Sequence, residues 1–187
     1  MESRNFQNDL NNSNNPELRK SWEKMFKRKF GDDIEIIWQD EKNVQLGFGT
    51  DITIKTKKGR RYSIEVKTRK NSVYKDDRWI MEIVHHIYDR EEQPRTYLSS
   101  KEGWIYTTTA EYIFHGTLNE NGTDLIEVIF YSLNPFKNTQ YKSEYQKYEN
   151  MWWPTTFTNG NFQLTLNKLM PKDIIKRESL EFWEWER

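Results

Sequence analysis

Asp51, Glu65 and Lys67 are the residues whose types and spacing could do chemistry. They lie in the stretch from Gly49 to Asn71, GTDITIKTKKGRRYSIEVKTRKN, which holds two strand-like runs around a basic glycine turn. Side chains alternate between faces along a strand. Asp51 and Thr53 therefore share one face of the first run, with Ile52 and Ile54 on the other, and in the second run Glu65 and Lys67 oppose Ile64 and Val66. Whether Asp51 meets Glu65 depends on the turn. A three-residue loop, Lys57-Lys58-Gly59, with glycine in the left-handed region, sets Asp51 across from Glu65. A two-residue loop at Lys58-Gly59 sets it across from Val66 and breaks the arrangement.

An Asp, a Glu and a Lys at one edge of a hairpin suit phosphodiester hydrolysis. The reaction needs charge stabilisation on the non-bridging oxygens, an activated water and help for the leaving oxygen. Hard Mg²⁺ or Mn²⁺ supplies all three when held by one or two carboxylates, backbone carbonyls and waters. Asp51 and Glu65 are then the expected metal ligands, with the Val66 carbonyl as a third. Lys67 is the expected catalytic base, placed to lower the pKa of the attacking water, orient it or stabilise the pentavalent transition state. Exposed carboxylates around such a site would repel one another, so replacing them is expected to leave folding nearly intact.

Net charge is zero, but from Lys55 to Lys70 there are eight Lys or Arg and one acid, Glu65. Lys58, Arg60, Arg61, Arg69, Lys70 and Lys75 are expected to flank the site and neutralise backbone phosphates, giving salt-sensitive binding largely independent of sequence. Acids after Asp76 and from Glu178 to Glu186 balance them. The plainer reading is a solvated hairpin edge protected from aggregation by its charge.

These residues need elements to position them. Residues 1–15 are Asn-rich and without periodicity, which predicts a flexible arm. Asn15 can cap a helix with Pro16 at its first position and Glu17 in its first turn, and Leu18, Trp22, Met25, Phe26 and Phe30 form one apolar stripe ended by Gly31, predicting a helix over about 17–30. Strands are expected over Ile34–Trp38, Trp79–His86, within Thr107–Leu118, over Leu125–Leu133 and, last, over Phe162–Leu166. Helices are expected from Asn134 to about Asn150 and from Met170 to Glu186. This order predicts an α/β or α+β fold with a mixed sheet, in one domain over 16–187.

Aromatic residues, 8 Trp, 10 Tyr and 10 Phe in 187, supply large apolar bodies for a core in a chain that is 31% charged. Without cysteine, disulfides, thiolate zinc sites and cysteine nucleophiles are excluded. No run approaches a membrane span and the N-terminus is unlike a signal peptide, so a soluble, cytoplasmic protein without a membrane partner is expected.

Asp51, thirteen intervening residues and then Glu65-Val66-Lys67 resembles the PD-(D/E)XK nuclease superfamily. The likeness covers about residues 17–68. It implies a restriction-endonuclease-like domain with a core of a helix, a three-stranded meander, a helix and a further strand, and it implies cleavage of DNA. Glu65-Val66-Lys67 is the only ExK in the chain; Asp40-Glu41-Lys42 gives a DxK without an acid on a paired strand. Thr50 stands where the family often has proline, and residues 68–86 read as loop and strand where its second helix is expected. Members often carry an acid on the first helix, for which Glu23 is the candidate and Glu17 the other. Trp79–Ile83 and Gly103–Ile113 also resemble segments of some members. A homodimer and a virus- or phage-encoded origin remain open.

Other constellations carry less. His85 and His86 point to opposite faces of a strand and cannot readily share a metal, and His115 is remote in sequence. Gly47-Phe-Gly49 is too short to cradle a phosphate. Trp152 and Trp153 either stack on bases or are buried under a loop. The alternative from another class is a non-catalytic nucleic-acid- or protein-binding module using the basic hairpin and the aromatics; a structural or accessory protein without a site is the third reading.

Overall fold

The computed structural model describes residues 4–5, 15–39, 50–70, 78–91, 93–137, 148, 150–156 and 161–187. The elements are β1 (Arg4–Asn5), α1 (Pro16–Phe30), β2 (Ile34–Trp38), β3 (Ile52–Thr56), β4 (Arg61–Lys70), β5 (Arg78–Tyr88), β6 (Tyr97–Glu102), α2 (Trp104–Thr107), β7 (Tyr112–Leu118), β8 (Leu125–Ser132), α3 (Asn134–Lys137), β9 (Asn150–Thr156), β10 (Phe162–Pro171), α4 (Lys172–Glu178) and β11 (Phe182–Glu186). They build two sheets, a six-stranded one in the order β11-β8-β7-β4-β3-β2 and a five-stranded one in the order β1-β9-β10-β5-β6. The first is mixed, because β4 and β7 run parallel while its other neighbours run antiparallel.

Helix α1 begins as its sequence predicts. The Asn15 side chain accepts from the Glu17 N–H at 2.9 Å, Pro16 takes the first turn, and Gly31 closes the helix at φ 92°. Its stripe of Leu18, Trp22, Met25 and Phe26 is buried against Ile52, Ile54, Ile64, Phe114 and Phe130 of the six-stranded sheet. Gly116 on β7 permits that approach, since a Cβ there would lie 2.6 Å from the Trp22 ring and 2.5 Å from Leu125. Truncating a side chain as deeply buried as Phe26 typically costs about 3–5 kcal/mol.

The other face of the six-stranded sheet is covered by strands together with the short helices α2, α3 and α4, which contribute Trp104, Ile105, Phe136 and Ile175. Trp79 and Met81 of β5 and Met170 of β10 pack with Ile113, Ile129 and Tyr131, so the five-stranded sheet supplies the second layer. The same elements occupy the place of the expected second core helix. The described part of the crossover between parallel β4 and β7 consists of β5, β6 and the four-residue α2.

The C-terminal segment differs from the helix expected over Met170–Glu186. Met170 lies in β10, the helix is confined to α4, and Phe182–Glu186 form β11 against β8. The run Phe-Trp-Glu-Trp-Glu has a period of two, which suits a strand: Trp183 and Trp185 pack on the α1 core while Phe182 packs on the other. β10 extends to Pro171 and is not the last strand. Of the helix expected from Asn134, only α3 is described; residues 138–147 lie outside the described residues and Asn150 opens β9. Within the N-terminal arm, Arg4–Asn5 pair in parallel with β9. Asp40–Lys42, Gly47 and Gly49 lie outside the described residues. Among the described residues no helix is long and apolar enough to cross a membrane.

Candidate active site

The turn between β3 and β4 fixes the register. Thr56 N–H donates to the Arg60 carbonyl at 2.9 Å and Gly59, at φ 80°, donates to the Thr56 carbonyl at 2.8 Å, leaving a three-residue loop at 57–59. The ladder then runs Lys55↔Arg61 to Ile52↔Ile64. One step further, Asp51 bonds to both neighbours of Glu65. Its N–H donates to the Ile64 carbonyl at 3.0 Å, and its carboxylate Oδ2 accepts from the Val66 N–H at 2.8 Å. In a strand the N–H and C=O of one residue leave on the same side, so the Val66 carbonyl leaves β4 on the side of Asp51.

Glu65 and Lys67 share the sheet face opposite α1, which the second layer covers. Glu65 is buried, at 5% exposure, and its Oε1 lies 2.5 Å from Lys67 Nζ. The pair is therefore an internal ion pair and not the exposed group that the sequence suggests. Burial raises the Glu65 pKa, and the negative charge of Asp51 adds to the rise against the pull of Lys67. Burial acts against the Lys67 ammonium, but Glu65, Asp51 and Glu82 outweigh it and hold its pKa above the ordinary lysine value. A lysine held this way keeps its proton beside the two acids. Its ammonium also faces the Trp104 ring, 5.5 Å from the centroid.

The segment from α2 to β7 braces the acids. Thr108 Oγ1 donates to Glu65 Oε2 at 3.3 Å and accepts from the Ala110 N–H at 3.1 Å. Thr109 meets Thr50, the neighbour of Asp51, at 3.2 Å between hydroxyl oxygens. Lys137 of α3 donates to the carbonyls of Thr108 and Ala110, closing this support. The run Thr107-Thr-Thr-Ala110 was visible in the sequence, but its role depends on a fold that returns it beside β4.

Other expected site residues are placed elsewhere. Glu23 is half-buried on α1, which packs on the Ile64 and Val66 face, so it stands across the sheet from Glu65; Glu17 is exposed at the start of α1. Lys58, Arg60 and Arg61 are exposed at the hairpin turn. β3 spans five residues, so the turn lies roughly 17 Å from Asp51, at the far end of the hairpin and not flanking the acids. Arg60 is engaged there with Tyr112 Oη at 3.1 Å and Glu181 at 3.4 Å. Arg69 is buried: it donates to Thr117 Oγ1 at 2.8 Å, to Glu127 at 3.2 Å and to the Arg78 carbonyl, and its guanidinium lies 3.9 Å over the Trp79 ring. These contacts bury it, and it also lines the cleft beside Lys67. Lys70 ends β4, and Lys75 lies outside the described residues.

One residue of the site escaped the sequence reading. His115 of β7 stands in register with Lys67 across the parallel pair, 3% exposed and 4.8 Å from the Trp79 ring. Burial, reinforced by Arg69 and Lys67, holds its pKa well below the usual histidine value, so the ring is neutral. Lys67 and His115 line a cleft of about 180 Å³ with Trp104, Trp153, Thr165 and Asn167. His85 and His86 do face opposite ways, toward Thr165 at 3.0 Å and Ser100 at 2.6 Å. Trp152 is 43% exposed and stacks on His86, whereas Trp153 lines the cleft.

Among the described residues no group of three or more His, Cys, Asp or Glu is clustered to hold a metal ion. Asp51 and Glu65 stand on neighbouring strands and Glu82 lines the cleft beside Lys67; one or two carboxylates suit a hard cation which keeps several waters. No protein-family model matches the chain, and no curated protein or solved structure matches it.

Proposed function

We propose that this protein is a metal-dependent phosphodiesterase. More narrowly, we read it as a nuclease of the PD-(D/E)XK type that hydrolyses DNA with Mg²⁺ or Mn²⁺. The observation that carries the reading is the hydrogen bond from Val66 N–H to the Asp51 carboxylate, which joins the isolated acid to the Glu65-Val66-Lys67 strand.

Asp51, Glu65 and the Val66 carbonyl would hold the cation. When bound, it polarises the phosphodiester and lowers the pKa of a coordinated water. Lys67, kept protonated, orients that water or stabilises the charge that develops on the phosphoryl oxygens. Its ion pair with Glu65 keeps the ammonium beside the ligand before substrate arrives. Thr108 on Glu65 and the Val66 N–H on Asp51 hold the two carboxylates in place, which limits reorganisation during the reaction.

The test is cleavage of supercoiled plasmid and labelled single-stranded DNA with Mg²⁺, Mn²⁺ or EDTA, comparing wild type with Asp51→Asn and Glu65→Gln. Metal-dependent cutting lost in both variants is expected; an inactive wild type would sink the reading. The exposed Lys58 and Arg61 at the hairpin turn favour the second reading, a binding module without catalysis. Its signature is nucleic-acid binding that EDTA leaves unchanged and that Arg61→Ala weakens more than Glu65→Gln does.

A further inference from the structure

We propose that the cleft beside Lys67 receives a single unpaired nucleobase of the strand being cut, stacked by Trp104 and Trp153 and read at its edge by Asn167 and His115. The assignment rests on the nuclease reading for the identity of the substrate. At about 180 Å³ the cleft falls below the roughly 300–1,000 Å³ of pockets for drug-sized ligands, which suits one planar ring system. Two of its walls are tryptophans, whose faces stack on any base.

The polar groups of the cleft are incompletely matched. Asn167 is 3% exposed, and its amide donates to the carbonyls of Thr165 at 3.1 Å and Met151 at 3.4 Å, which orients the amide oxygen as an acceptor. His115 Nδ1 is buried and has no hydrogen-bond partner among the described residues. Buried polar atoms are nearly always paired, and the residue whose Nδ1 is unmatched is one that lines the cleft. A nucleobase edge carries both donors and acceptors and can serve Asn167 and His115 together.

Position ties the cleft to the chemistry. Lys67 lines it and contacts Glu65, so the phosphate of a nucleotide whose base enters the cleft lies beside the paired carboxylates. A base inside a duplex cannot reach these walls without leaving its stack, which requires unpairing energy. Single strands, frayed ends and mismatches are therefore the favoured substrates.

The test reads base insertion apart from cleavage. In EDTA, a single-stranded oligonucleotide carrying one 2-aminopurine is titrated with wild type, Trp153→Ala, Trp153→Phe and Asn167→Asp, in DNA and in RNA form. The expected result is a change in 2-aminopurine emission that Trp153→Ala abolishes with about tenfold weaker binding, that Trp153→Phe preserves, and that Asn167→Asp alters. Wild type alone, titrated also with the same 2-aminopurine fully paired in a duplex, keeps the test if the variants fail to fold: the emission change is expected with the single strand, and equal behaviour of the two overturns the proposal. Emission indifferent to these variants overturns the proposal, a water in the cleft then pairing His115. Cleavage of the same oligonucleotide with Mg²⁺ judges the nuclease reading separately: cutting without an emission change keeps the nuclease and removes the base cleft, and an emission change without cutting does the reverse.

Discussion

The Asp51 carboxylate accepts a hydrogen bond from the Val66 N–H at 2.8 Å, so the acid is bonded to the strand that carries its partner acid. Asn at position 51 can still accept this bond, whereas Ala leaves the amide without its acceptor. Asp51→Asn and Asp51→Ala are both expected to lose metal-dependent cleavage by at least about a hundredfold, but only Asp51→Ala is expected to lose stability, by about 1–2 kcal/mol. Plasmid nicking and urea denaturation of the pair separate the two effects. Wild-type cleavage by Asp51→Asn would remove it from the ligand set.

Glu65 and Lys67 form a largely buried pair, so each single replacement strands a charge. Removing one partner of a fully buried pair costs roughly 3–5 kcal/mol, and with Lys67 about a third exposed the expected loss for Lys67→Met is nearer 2 kcal/mol. Glu65→Gln combined with Lys67→Met should cost less than the sum of the two singles. A double-mutant cycle by denaturant unfolding measures the coupling; strict additivity would show the two side chains to be independent.

Acid should weaken the fold through His115. Its folded pKa lies below the unfolded value near 6.5, so the unfolded chain binds the proton first. The contribution is complete above about pH 6.5 and declines as pH falls toward the folded pKa, by at most about 1.4 kcal/mol per pH unit. Glu65 acts with the opposite sign: its pKa is raised on folding, so its protonation partly offsets the loss at lower pH. His115→Gln, compared with wild type from pH 7 to pH 5, should remove the histidine part of the slope. An unchanged slope would show that His115 is not the group responsible.

Arg69 and Arg61 are expected to separate completely in their effects. Arg69→Met removes bonds to Thr117, Glu127 and the Arg78 carbonyl from the interior, and a loss of about 2–3 kcal/mol is expected. Arg61→Ala, at the exposed turn, should change stability by less than about 0.5 kcal/mol. Thermal melts of the two variants check this. A neutral Arg69→Met would mean that neighbouring groups can replace its contacts.

How much was legible depended on how local the cause was. α1 was readable because its cap, its apolar stripe and its closing glycine lie within one segment. The β3–β4 register was narrowed to two alternatives by the turn residues, and the structure takes the three-residue loop Lys57-Lys58-Gly59. The same register also implied that Arg60 and Arg61 stand at the far end from Asp51, a consequence that charge clustering along the sequence concealed. Burial of Glu65 and Arg69 was not readable, because the groups that meet them, Thr108 for the acid and Arg78, Trp79, Thr117 and Glu127 for the arginine, come from elsewhere in the chain. His115 was hidden for the same reason: its partner in register, Lys67, is brought to it only by the parallel pairing of β4 with β7. At the C-terminus, aromatic residues at 182, 183 and 185 fit a helix face loosely and a strand well, and the pairing with β8 decides for the strand.

The chain crosses repeatedly between its sheets: from β4 of one to β5 and β6 of the other, back to β7 and β8, over again to β9 and β10, and home with β11. No cut between β2 and β10 leaves either sheet whole on one piece. Fragments ending before β9 would lack Trp153, Thr165 and Asn167 of the cleft beside Lys67, so limited proteolysis should yield no folded half. Nascent chains emerging from a ribosome would face the same difficulty, with the cleft beside Lys67 unfinished until the last quarter of the polypeptide arrives.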